Sequence, residues 1–152
     1  MIFDRTQDDV TAALRIRENK IKLFTPPTAE ETRSLERGFI DYTTLNRIEN
    51  KQAELRELLI SSGSSFFDIK TKTWTADDIF NETEFSRIVG NLDVLKNGIN
   101  VLPDTPDTPQ PALYFVIIND IEKILFDMDA LLQNMISAYC FCGELYCGEM
   151  EE

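Results

Sequence analysis

The chain has 152 residues, 43% hydrophobic and 10% aromatic, enough for one packed domain with a short tail. It carries 15 basic and 27 acidic residues and no histidine. The missing histidine excludes Ser-His-Asp and Cys-His catalysis and His-ligated zinc, and the acidic excess opposes binding to phosphate backbones.

The charge is unevenly placed. Residues 1–72 hold 12 basic and 12 acidic residues, whereas residues 73–152 hold 3 and 15. An acidic second half suits solubility or a basic protein surface as partner. No apolar run reaches the roughly 20 residues that span a bilayer, and MIFDRTQDDV has no signal-like apolar stretch. The expectation is a chain made in a cytoplasm, with neither membrane nor nucleic acid as partner.

Thr6, followed by Gln7-Asp8-Asp9, has the form of a helix cap with acid in the first turn. Val10, Ala13 and Leu14 follow at helical spacing, and Pro26-Pro27 ends the pattern. Thr28-Ala29-Glu30-Glu31 matches a capping box opening a short helix with Leu35 on it and Gly38 near its end. From Thr43 or Thr44, Leu45, Ile48, Gln52, Leu55 and Leu59 step by three and four, a heptad seam with one polar member. Ser61-Ser62-Gly63-Ser64-Ser65 reads as a loop.

Phe67, Ile69 and Thr71 alternate with polar residues ahead of Trp74, which predicts an extended segment, one arm of a small hairpin near residues 66–74. Thr75-Ala76-Asp77-Asp78 and Asn81-Glu82-Thr83-Glu84 both have the form of helix starts, with Glu84 placed to reach back to its cap. Phe85, Ile88, Leu92, Leu95 and Ile99 make a second seam. Pro103, Pro106 and Pro109 recur every third residue, favouring a polyproline spacer over a recruitment motif. The last helix, from about Tyr114 to Tyr139, carries Ile117, Ile121, Ile124, Met128, Leu131, Met135 and Ala138, widened by Leu125, Leu132 and Tyr139.

These elements predict an all-α fold: a small bundle of two shorter helices laid along one long C-terminal helix, with at most a minor hairpin. The division is an N-terminal helical arm at 1–42, a bundle core at 43–139 with a Pro-rich linker at 103–111, and a docking tail at 140–152. The long helix should overhang its partners and leave apolar surface for another chain.

Candidate chemistry is sparse. Cys140, Cys142 and Cys147 could ligate zinc with Glu144 or Glu149, but the C-x-C-x4-C spacing lacks paired C-x2-C and a fourth ligand, so free thiols are expected and no metal or cofactor. Asp120, Glu122, Asp127 and Asp129 read as the wet face of the last helix. Trp74, with Phe66, Phe67, Phe80 and Phe85, could stack on a sugar, although core packing is the commoner fate of such a cluster. No catalytic set emerges, so an enzyme is not expected. The tail repeats Phe141-Cys142-Gly143-Glu144-Leu145 as Tyr146-Cys147-Gly148-Glu149-Met150. Each glycine permits a turn, which makes Phe141, Gly143, Glu144, Leu145, Tyr146, Gly148 and Glu149 the candidate protein-interaction residues.

Several stretches resemble a module of tail-associated structural proteins from phages and prophages of gut Firmicutes. They are Asp4–Val10, Tyr42–Glu49, the W-x-x-D-D of Trp74–Asp78, Asn119–Leu125, and the Phe-x-Gly-Glu-x-Tyr-x-Gly-Glu of Phe141–Glu149. The closing motif of that module usually has serine where this chain has Cys142 and Cys147. The resemblance implies a virion component at the tail, baseplate or fibre attachment, assembled in the host cytoplasm, a homo-oligomer whose partners are other virion proteins. A receptor-binding or carbohydrate-binding tail module using Trp74 is the alternative it leaves open.

Overall fold

A computed structural model describes residues 1–63, 68–99, 101–110 and 115–144. Among these residues the structure is all-α, with five helices and no strand: α1 (Gln7–Leu23), α2 (Ala29–Gly38), α3 (Tyr42–Ser61), α4 (Glu82–Lys96) and α5 (Phe115–Glu144).

The caps fall largely where the side chains dictate. Thr6 and Thr28 each close a full capping box, with Asp9 and Glu31 returning the bond. Asp41 caps α3 by accepting from the Thr44 backbone, and Asn81 caps α4 by accepting from Glu84. Glu84 does not reach back; its carboxylate takes the Arg87 Nε–H at 2.9 Å. Thr75–Asp78 forms a capping-box-like turn but no helix follows it, because Phe80 is drawn into an aromatic stack between Trp74 and Phe85. The helix is capped instead six residues later, at Asn81.

α1 and α2 form a hairpin packed chiefly on itself, while α3, α4 and α5 pack on one another. Ala13 and Gly38 are buried where the first two helices cross. A Cβ on Gly38 would collide with the Ala13 methyl and the Asp9 carbonyl, so only glycine allows this approach.

The three bundle helices run in the same direction. Arg47 meets Glu122, and further along Lys51 meets Asp129. Glu49 likewise meets Arg87, and Gln52 meets Ile88 and Asn91. Residue numbers therefore rise together on all three, and each connection must travel back the length of the bundle.

All five seam positions of α3 are buried, and so are Phe85, Ile88, Leu92 and Leu95 of α4. α5 contributes Ile118, Ile121, Ile124, Leu125, Met128 and Leu132. At roughly 1.5–3 kcal/mol per large apolar side chain, this shared core is the main source of stability. The α5 stripe is rotated from the heptad line: Ile118 is buried, while Ile117 and Leu131 are half-buried and Met135 and Ala138 are exposed.

The returning segments are tied down by side chains. Residues 68–74 run back between α3 and α4 without pairing to a strand. The backbone N–H groups of Lys70, Lys72 and Trp74, alternate residues on one face, donate to Asn91, Glu49 and Asn46. The segment is thus extended, as expected, but Thr71 is exposed and it is Trp74 that is buried, and helix side chains replace the second hairpin arm; Phe66 and Phe67 lie outside the described residues. The Pro-rich segment also docks: Thr105 donates to Asp127 at 3.0 Å, and Lys96 Nζ donates to the Pro106 carbonyl at 2.8 Å.

Candidate interaction surfaces

Three asparagines, one on each bundle helix, hold passing backbone with both ends of their amides. Asn46 holds Trp74, Asn91 holds Lys70 and Asn119 holds Arg5. The third clamp matters for the N-terminal arm. Residues 1–6 lie along α5, with Phe3 against Phe126 at 5.1 Å between ring centres. Asn119 Nδ2 donates to the Arg5 carbonyl at 2.9 Å and Oδ1 accepts from the Arg5 amide at 3.3 Å. The hairpin is therefore fixed at the N-terminal end of α5.

Two buried carboxylates anchor these segments. Glu122 accepts from Arg5 and from Arg47, whose Nε lies 2.9 Å away. Glu49 accepts from Trp74 Nε1 at 2.9 Å, from the Lys72 amide at 3.1 Å, and from two guanidinium nitrogens of Arg87. Glu49 holds the Arg87 guanidinium above even its ordinary high pKa. Of the acidic residues expected on a wet face, Glu122 and Asp127 are buried instead, and Asp127 pairs with Lys123 and Thr105. Asp129 pairs with Lys51; burial pulls the Lys51 pKa down, but bonds to Asp129 and Glu54 outweigh it and hold the lysine above its usual value. Burial raises Asp120. All four carboxylates thus sit in or against the packed bundle. Sequence spacing could not reveal this, since Arg5 and Arg47 stand far from Glu122 in the chain.

Trp74 is 2% exposed. Its indole N–H is bound to Glu49, Lys72 Nζ lies 4.1 Å from the centre of its ring, and Phe80 packs edge-on at 5.4 Å. It offers no ring for stacking on a sugar, which corrects the ligand-stacking expectation; the indole is a core pin for the 68–74 segment.

Exposed apolar side chains are scattered over the bundle, Ile79, Leu102 and Phe126 among them, and two places gather them. The hairpin exposes Ile21, Leu23 and Phe24, the last at 93%. Between α1, α2 and the start of α3 lies an open groove of about 780 Å³, lined by Arg17, Lys20, Ile21, Leu35, Phe39 and Tyr42 among others. Arg17 lies over the Phe39 ring at 5.6 Å. At the other end, Leu132 is the last buried residue of α5 among the described side chains, and the helix continues to Glu144. That is about 18 Å of helix beyond Leu132. Met135 is 38% exposed there, and beside it Leu59, Ile99, Leu131 and Leu132 line a shallow apolar hollow.

Of the tail candidates, Phe141, Gly143 and Glu144 lie on this last stretch of α5, so the first repeat continues the helix where a turn was expected. Leu145, Tyr146, Gly148 and Glu149 lie outside the described residues. Sequence reasoning singled out the tail and missed the hairpin groove, whose only signal was the apolar Ile21–Phe24 run beside the Arg15, Arg17, Lys20 and Lys22 cluster. Among the described residues no cluster of His, Cys, Asp and Glu is arranged to hold a metal, and no helix is long and apolar enough to cross a membrane. Comparison with protein families, with curated proteins and with solved structures found no match.

Proposed function

We propose that this protein is an assembly component that acts by binding other protein chains and catalyses no reaction. The observation that carries the reading is the exposed apolar surface on the hairpin and beside the hollow between α3, α5 and the end of α4. Exposed Ile21, Leu23 and Phe24 sit on the hairpin, and Met135 is exposed beside the hollow lined by Leu59, Ile99, Leu131 and Leu132. Clustered exposed apolar groups of this kind mark sites of contact with other chains. The buried charges in between are paired to one another, which suits a scaffold.

The setting we propose is a phage particle, at the tail, baseplate or fibre attachment. This part rests on the resemblance carried by Asp4–Val10, Tyr42–Glu49, Trp74–Asp78, Asn119–Leu125 and Phe141–Glu149. Its partners there are other virion proteins and further copies of itself, with basic protein surfaces against the acidic half of the chain. Mass spectrometry of purified particles tests it directly: the chain should be present at fixed stoichiometry. Deleting residues 140–152 should leave a helical protein that no longer enters particles. Normal incorporation of the shortened chain overturns the role given to the tail, and absence of the full chain from particles overturns the setting.

A further inference from the structure

The α1–α2 hairpin meets the bundle chiefly through the chain on either side of it, since its two helices pack mainly on each other. Among the described residues, the buried core of the bundle begins at Leu45 and takes nothing from the hairpin. Residues 1–6 form the first attachment. Asn119, Glu122 and Phe126 follow at steps of three and four on one face of α5, and Arg5 and Phe3 meet them there. Asp4 serves the hairpin instead, its carboxylate taking Arg37 Nη2 of α2 at 2.9 Å, and Thr6 caps α1 directly. This strap is incompletely satisfied. The Arg5 side chain is 1% exposed, yet its Nε and Nη2 find no acceptor among the described residues. Buried donors without a partner weaken the state that holds them, and withdrawal into water would satisfy both. Glu122 would not be orphaned by that withdrawal, because Arg47 Nη2 lies 2.7 Å from it.

The second attachment is built to turn. Phe39 and Asp41 are extended; the Phe39 amide closes α2 on the Leu35 carbonyl, and Asp41 caps α3 through the Thr44 amide. Each helix end is therefore satisfied within its own body, whatever the angle between them. Ile40 packs on the core, which places the pivot just before it. We propose that residues 1–6 are a latch. With Arg5 seated on α5 the hairpin is docked. With Arg5 withdrawn the hairpin swings about Phe39 as a folded body and uncovers the Asn119–Phe126 face of α5. The groove has one wall on the hairpin and the other at Phe39–Thr43, so the latch also decides whether that groove exists. None of this depends on whether the chain assembles with others.

Backbone amide NMR relaxation on the full chain tests the latch. In the native protein, hairpin and bundle should tumble with one rotational correlation time. In R5S/N119A the value for residues 7–38 should fall below that for α3 to α5, with helical chemical shifts kept in both. R5S/N119A/E122Q repeats the measurement with a neutral side chain in place of the buried carboxylate, should the first variant fail to fold. A hairpin that still tumbles with the bundle overturns the proposal, because other contacts then hold it. Loss of helical shifts across 7–38 overturns it as well, since the hairpin is then no independent body. So does unfolding of α3 to α5 in both variants, which would make the strap part of the bundle's core. A native chain whose two parts already tumble separately shows that nothing is latched.

Discussion

Asn46 grips the backbone of Trp74 with both ends of its amide, donating to the carbonyl at 2.9 Å and accepting from the N–H at 2.7 Å. A helix side chain thereby does for an extended segment what a neighbouring strand would do. Replacing Asn46 by alanine removes both bonds from a partly buried site, and we expect a loss of about 1–3 kcal/mol. Trp74 is the single tryptophan and is buried. Its emission should therefore move to longer wavelength in Asn46→Ala before global unfolding. An unshifted spectrum and unchanged melting would show that Glu49 and Asn91 hold the segment without it.

Glu122 carries two arginines into the bundle. Glu122→Ala leaves the Arg5 guanidinium buried without its carboxylate, at an expected loss of about 3–5 kcal/mol. Removing both ends together, as Arg5→Met with Glu122→Leu, should recover much of that loss, since burying the ions is itself costly. Thermal melts of the single and double variants decide it. Equal melting temperatures for both would mean the pair acts through packing alone.

Gly38 governs the hairpin and little else. Gly38→Ala forces α1 and α2 apart at Ala13, an overpacking expected to cost about 1–3 kcal/mol. Because the hairpin packs mainly on itself, hydrogen exchange should speed up for amides in 7–38 and stay unchanged in α3 to α5. Uniform acceleration across the chain would contradict that separation.

Asp78 provides a pH signature. Bonds from Lys72 Nζ at 2.7 Å and from the Thr75 hydroxyl and amide lower its carboxyl from 3.8 to about 2. A carboxyl depressed on folding stabilises the folded state above its unfolded value, and that contribution is lost as pH falls toward the folded one. The Thr75–Asp78 turn should therefore hold at pH 4 and loosen near pH 2. Carbon-detected NMR titration should place the Asp78 midpoint near about 2 and move it upward in Lys72→Met. A midpoint near 4 in the native chain would rule out the Lys72 contact in solution.

How much could be read without coordinates depends on how local each cause is. The α3 seam was legible because burial follows a simple step of three and four, and even Gln52 fits: its amide donates to the Ile88 carbonyl at 2.8 Å and accepts from Asn91. The capping boxes at Thr6 and Thr28 were legible because both partners lie within four residues. The carboxylates of α5 were misread because the groups that neutralise Glu122 come from Arg5 and Arg47, which no periodicity connects to it. Thr75–Asp78 carried a valid local signal that lost to aromatic packing at Phe80. The groove escaped notice because its walls come from three elements and none is apolar enough alone.

The shared direction of α3, α4 and α5 adds their backbone dipoles along one axis. Each helix carries roughly half a positive charge at its start and half a negative one at its finish, and here three starts gather near the hairpin. Nothing basic sits in the last turn of α3 or α5 to offset the finishing ends. Side by side in register, two such molecules repel; stacked nose to heel, each finish meets the next molecule's start. The bundle's own backbone therefore disfavours side-by-side contact in register between copies, and raising the ionic strength should relax that bar.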